Sequence, residues 1–202
     1  MKICSTEDKI KEAAKEVFIS KGFSGCSSRE IAKAAGMNVA LVNYYFRSKS
    51  KLFQLIFNTV IEDFVVSMTS VFATKDVSLE EKMRLFINRE YELLAKHPEL
   101  PNFIINEMSR EGSSNIDHLF EKISQTGIFE ECMVAQSNGT MRKIDLVSIT
   151  LLILSNCQYP IMAKSLIQGM HKLSDAVYVE YLDTHRNEVT EMLVNFLFPK
   201  QS

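Results

Sequence analysis

Apolar residues recur at α-helical spacing along almost the whole chain, and this periodicity restricts the fold more than any other feature. Ile10, Ala13, Ala14, Val17 and Phe18 stand at i, i+3, i+4, i+7 and i+8, one stripe on a first helix that Ser5 or Thr6 can cap. Gly22 ends that helix. Ser28 is placed to cap a short second helix carrying Ile31, Ala34 and Ala35, Gly36 breaks it, and Asn38 caps a third running to about Phe46. Ser48 opens a long fourth helix to roughly Phe72, with Phe53, Phe57, Val60, Phe64, Met68 and Val71 facing inward. Ser78 and Glu81 read as a capping box for a helix to about Lys96, and Pro101 opens another through Arg110. Residues Gly112 to Asn115 read as a loop, and a helix from about Asp117 ends near Ser137. Two long apolar helices follow, from about Asp145 to Gln168 and from about Ser174 to Phe198. Only 7 Gly and 4 Pro occur in 202 residues, too few turn formers for a β-rich fold. The expectation is an all-α protein of about nine helices, with a three-helix head over residues 1–50 and a helical body over 51–202.

Charge is divided between these parts. Met1 to Leu52 holds 10 Lys and Arg against 5 Asp and Glu, a net of +5, while the remainder holds 13 against 20, a net of −7. A basic head on an acidic body points to a polyanion as the partner of the head alone. Cys4, Cys26, Cys132 and Cys157 lack the spacing of a zinc site or a redox pair, so they read as reduced thiols of a cytoplasmic protein. The N-terminus turns acidic at Glu7 and Asp8 with no apolar core, unlike a signal peptide. The longest apolar stretch, Leu146 to Leu154, is far shorter than the ~20 residues a membrane span needs.

The most informative stretch is Ser27 to Leu52, SSREIAKAAGMNVALVNYYFRSKSKL. Two short helices joined at a glycine have the geometry of a helix-turn-helix. Ala32 and Ala35 are small enough for a close helix crossing, Gly36 tolerates the positive φ of the turn, and Ile31, Val42 and Phe46 are apolar posts. Asn43, Tyr44 and Tyr45 are left to face a groove. The same pattern also suits an α-hairpin inside a helical bundle, and the +5 charge of the head favours DNA.

This stretch resembles the DNA-binding signature of the TetR family of transcriptional regulators. Ser27 and Ser28 stand where that pattern has two threonines, and Ile31, Ala32, Ala35, Gly36, Phe46, Lys49 and Leu52 match it directly. Asn43 and Tyr45 replace its usual Tyr and His, which leaves the operator sequence open. The resemblance implies Ser28, Tyr45 and Lys49 as phosphate contacts, with Arg29, Val39, Ala40, Asn43 and Tyr44 facing the groove. The chemistry suits those roles. A lysine at the start of the fourth helix adds its charge to free N–H groups, Arg29 can fork onto guanine, Asn43 can pair with adenine, and Val39 and Ala40 can meet a thymine methyl.

The body shows no constellation of an enzyme, because its four histidines are scattered and no nucleophile sits beside a base. No cofactor or metal is expected. The resemblance implies a ligand cavity in the body, for which Phe57, Phe64, Met68, Phe86, Phe103, Met108, Phe129, Met133 and Met162 are the candidate lining of an apolar or amphipathic effector. Glu107 and Arg110, one turn apart, can pair or offer that effector a polar handle. The last two helices are apolar on more than one face and need cover from a second copy. The expected homodimer interface is Cys157, Ile161, Tyr178, Tyr181, Leu182, His185, Val189, Met192 and Phe196, with Pro160 kinking the earlier helix. The functional expectation is a homodimeric repressor of a near-palindromic double-stranded operator, released by a small-molecule effector. The alternative is an adaptor of the same fold controlled by a protein partner.

Overall fold

The computed structural model describes residues 5–111 and 121–200, except for the side chains of Met68, Arg110 and Glu111. The expected loop at Gly112 to Asn115, the helix start near Asp117, the Met68 lining position and any pairing of Arg110 lie outside the described residues. Among those described, every regular element is helical. They are α1 (Thr6–Lys21), α2 (Ser28–Ala34), α3 (Val39–Phe46), α4 (Lys49–Thr69), a 3-10 turn (Ser70–Ala73), α5 (Leu79–Lys96), α6 (Leu100–Glu111), α7 (Ile128–Ser137), α8 (Leu146–Met162), α9 (Lys164–His171) and α10 (Asp175–Leu197). Residues 121–124 add one further helical turn. The all-α class stands, with more helices than the nine expected.

The chain forms two compact units. The first holds the chain up to Phe64 together with α6 from Asn102, so it takes in more than the expected head of residues 1–50. Its core is built by the amphipathic stripe of α1, with Ile10, Ala14 and Phe18 fully buried, and by Leu52, Phe53 and Phe57 of α4. Phe53 meets Phe18 edge-on at 4.9 Å and stacks on Phe57 at 5.6 Å. Each such side chain contributes roughly 1.5–3 kcal/mol by leaving water. Caps set the helix starts. Ser5 and Asp8 form a reciprocal box on α1, and Asn38 accepts the Leu41 N–H on α3. On α2 the cap is Ser27, one residue before the expected Ser28, because Glu30 is placed to return a bond to the Ser27 N–H and complete the box.

The second unit packs α5, α7, α8 and α10 around Met83, Ile87, Tyr91, Cys132, Ile149, Ile153, Cys157, Leu193 and Leu197. The expected helix from Asp145 to Gln168 is two helices, α8 and α9, bent by 65°. Pro160 is the cause, since it lacks the N–H that an unbroken helix would donate to the carbonyl of Asn156. That carbonyl receives the Tyr91 hydroxyl instead, at 2.9 Å. The carbonyl of Pro160 itself accepts the hydroxyl of the fully buried Tyr178 at 2.6 Å. The tyrosines of α5 and α10 thus supply donors to two carbonyls where the backbone of α8 has lost them. Among the described residues no single helix is long and apolar enough to cross a membrane.

Candidate nucleic-acid interface

The first unit presents α3 as a supported ridge. Val42 and Phe46 point into the core with Ile31 and Ala32 of α2 behind them. Gly36 takes φ +68° in the turn between the helices, a conformation that a side chain would strain. With one face of α3 fixed inward, Ala40, Asn43 and Tyr44 share the outward face, and Tyr44 is 78% exposed. Tyr45 is exposed and meets the Tyr44 ring edge-on at 5.3 Å. Arg29 is exposed on α2, while Ser28 and Val39 are half-buried. All seven residues belong to one helix pair, on or flanking its outer surface. Sequence reasoning passed over the exposed Lys33, Arg47 and Lys51 around this ridge. Their charge was legible, but only the fold places them beside α3.

Lys49, expected as a phosphate contact, is engaged within its own unit. Its ammonium donates to the carbonyls of Phe23 at 2.8 Å and Cys26 at 2.9 Å, and it lies 4.1 Å from the centre of the Phe23 ring. The buried Glu107 of α6 accepts the N–H of the same Phe23 at 2.9 Å. The link between α1 and α2 is therefore gripped at one residue from two sides, by a cation on its carbonyl and a carboxylate on its amide. A Cβ at Gly25 in this link would stand 2.1 Å from the carbonyl oxygen of Lys21, so only glycine fits. Lys21 binds Glu30 at 2.8 Å, and this bond together with the Ser27 cap holds the Glu30 carboxyl at about 2, well below the usual carboxylate range. Lys49→Met, which keeps the stem and removes the ammonium, is expected to cost about 2–4 kcal/mol of unfolding free energy in urea, the worth of two charge-assisted bonds. A loss under about 0.5 kcal/mol with a flattened salt dependence of DNA binding would return Lys49 to the phosphate role.

The described residues expected to line an effector cavity are divided between the two units. Phe57 and Phe103 are buried in the core of the first unit with their rings 5.6 Å apart, and Phe64 and Met108 are half-buried there. In the second unit Phe86 stacks on Phe72 at 5.0 Å and Phe129 packs against the core. Met133 is 58% exposed and Met162 38% exposed, so both face outward. The second unit does have a groove of about 270 Å3 between α5, α8 and α10, lined by Tyr91, Ala95, Ile161, Leu182 and the charged Glu92, Lys96, Asp183 and Arg186.

The expected dimer set divides in two. Cys157, Ile161, Tyr178 and Val189 are buried by their own chain, which corrects their assignment to an interface. Tyr181, Met192 and Phe196 are exposed, and Leu182 and His185 are half-buried. Exposed apolar residues that were not expected join them, Val147 and Leu151 on α8 and Val177 on α10. Val147, Leu151 and Met162 form one stripe on α8, and Val177, Tyr181 and Met192 form one on α10.

The α2–α3 hairpin with its buried posts and exposed polar and aromatic ridge is a helix-turn-helix, carried on a chain whose described elements are all helical. Residues 10–56 match the bacterial regulatory proteins of the tetR family. The match is confined to the segment that carries the hairpin. The chain is 32% identical over 135 residues to the Bacillus subtilis (strain 168) protein "Probable HTH-type transcriptional regulator YttP", a match covering 65% of this chain and 62% of that one. To the HTH-type transcriptional repressor NicS of Pseudomonas putida it is 30% identical over 110 residues, 53% of this chain and 50% of NicS. The chain thus spans between half and two thirds of the length of these relatives. The crystal structure of a TetR family transcription regulator from Marinobacter aquaeolei VT8 superposes with a TM-score of 0.73 at 16% identity, over 96% of this chain and 95% of that one, and shares the fold.

Proposed function

We propose that the chain is a dimeric, DNA-binding transcriptional repressor of the cytoplasm, controlled by a small effector. The observation that carries this reading is the ridge of α3, fixed from behind by Val42 and Phe46 and open in front at Ala40, Asn43 and Tyr44. Such a helix suits a major groove, where Asn43 meets base edges, Ala40 a thymine methyl, and the exposed Arg29 a guanine or a phosphate. Ser28, Val39 and Tyr45 flank that contact, with Tyr45 on the backbone. The net +5 of the first 52 residues and the exposed Lys33, Arg47 and Lys51 supply the sequence-independent attraction.

Two apolar stripes on α8 and α10 support assembly with a second copy, because a two-fold pairing covers both with the same surface. The repressor sign follows NicS. The effector is assigned to the groove, whose apolar floor and charged rim suit a small amphipath. Arg186 Nε is buried there without a hydrogen-bond partner, which favours a ligand carrying an acceptor such as a carboxylate. At about 270 Å3 the groove lies just below the range of roughly 300–1,000 Å3 that drug-sized ligands fill.

DNase footprinting on the DNA flanking the gene tests the reading. The expected result is protection of an inverted repeat whose half-sites lie about 34–36 Å apart, lost on adding short-chain carboxylates. Protection without sequence preference would leave a basic helical protein and no repressor. Protection that no small molecule relieves would remove the effector.

A further inference from the structure

The bend of α8 sits against an unusual carboxyl group. Glu90, on the inward face of α5, is fully buried. Its Oε1 accepts the Gln158 amide at 3.0 Å, while its Oε2 has no hydrogen-bond partner. No cation pairs with it among the described residues, and the Cys157 thiol, a weak donor, stands beside it. An ionised carboxylate held in this way is costly, because one amide and a weak thiol donor offset little of the water it has lost.

The side chains that act directly on the Glu90 carboxyl, Gln158 and Cys157, are uncharged. Next to Glu90, the Tyr91 hydroxyl gives its one proton to the Asn156 carbonyl, so at 2.8 Å it must accept from His185 Nδ1–H. From α10 the joint also meets Tyr178 and Tyr181, with Glu188 near His185, and Asp183 and Arg186 stand with Lys96 and Glu92 at the groove rim. From α7 the charged groups are Glu130 and Glu131, and Glu131 is held by Lys82, two turns away along α5. Burial drives each titratable group of the joint toward its uncharged form. The Glu90 carboxyl is pushed up to about 7, the Tyr91 phenol and Cys157 thiol also rise, and His185 falls.

We propose that Glu90 makes the joint of α5, α8 and α10 proton-responsive: tightly packed while the carboxyl holds a proton, and loosened once the proton leaves. Through its other oxygen Glu90 holds Gln158 on α8, two residues before the Pro160 that has already interrupted the helical bonds there. Charge placed there has little backbone bonding to disrupt before the bend opens. The device belongs to the second unit alone and holds whatever the chain binds.

The sign follows from linkage. A carboxyl raised from about 4.5 to about 7 on folding adds stability that is complete below about pH 4.5 and is lost as pH rises through 7. His185, lowered by burial, acts in the opposite direction near its ordinary value, so the comparison must isolate Glu90. The experiment is urea unfolding of the full chain and of Glu90→Gln at intervals from pH 5 to pH 8.5. The folding constant of the wild type is expected to fall relative to the variant by roughly a hundredfold across that range, levelling above pH 7. Parallel curves for the two proteins would overturn the proposal. If Glu90→Gln does not fold, infrared spectra of the wild type give the reading directly. A protonated carboxyl band at pH 6 that disappears by pH 8 supports the proposal, and its absence at pH 6 overturns it.

Discussion

Leu151→Glu is expected to leave the protein monomeric at micromolar concentration and to weaken its hold on a two-half-site operator by a factor of 100 or more. Leu151 is 62% exposed, at the centre of the α8 stripe between Val147 and Met162. If a second copy covers that stripe, the new carboxylate is buried there without a partner, at a cost of several kcal/mol. Operator binding then suffers by arithmetic rather than by damage to the head. A linked pair of heads gains roughly 10²–10⁴ over a single one from effective concentration, and a monomer forfeits that gain. Sedimentation equilibrium reads the assembly and a binding titration reads the affinity. Val179→Glu is the control, because Val179 is exposed on a different side of α10 from Tyr181 and Met192. It should leave both measurements unchanged. A Leu151→Glu protein that stays dimeric would move the interface off this face.

The same two helices show where reading the sequence succeeds and where it stops. Helix type was legible in α1, α3 and α10 because caps and apolar spacing agree, as with Asn38 before Val39 and Ser174 before Asp175. Which apolar side of α8 and α10 faces which neighbour was not. Tyr178 and Val177 are adjacent, one fully buried and one exposed, and periodicity on a helix apolar nearly all round cannot rank them. Hydroxyl positions decided it, since Tyr178 is turned inward by the carbonyl that Pro160 presents. The bonds of Lys49 were hidden for a similar reason. A lysine at a helix start has the chemistry of a phosphate clamp, but the carbonyls of Phe23 and Cys26 come within reach only when α1 and α2 have packed. The Phe and Met residues expected around a cavity were hydrophobic enough for either role, and packing made several of them core.

The ridge of α3 allows sequence reading and charge attraction to be separated. Asn43 is exposed and its side chain bears on no core contact, so Asn43→Ala should fold as the wild type does. A side-chain amide that pairs with a base edge is worth about 1–3 kcal/mol on the cognate site and nothing on random DNA. Lys51, exposed in the first turn of α4, is the proposed contact to phosphate, which carries no base information. Lys51→Ala is therefore expected to weaken operator and random DNA alike and to flatten the salt dependence by about one unit of slope per subunit. Asn43→Ala should leave that slope unchanged and lower operator affinity by about 5-fold to 150-fold per half-site, which a dimer squares. Affinity measured over a salt series, for both DNAs and both variants, separates the two terms. If Asn43→Ala preserves the ratio of operator to random affinity, sequence is read elsewhere on the ridge. Tyr44 and Arg29 are then the residues to substitute next, since they are exposed beside Asn43 and carry groups that reach a base.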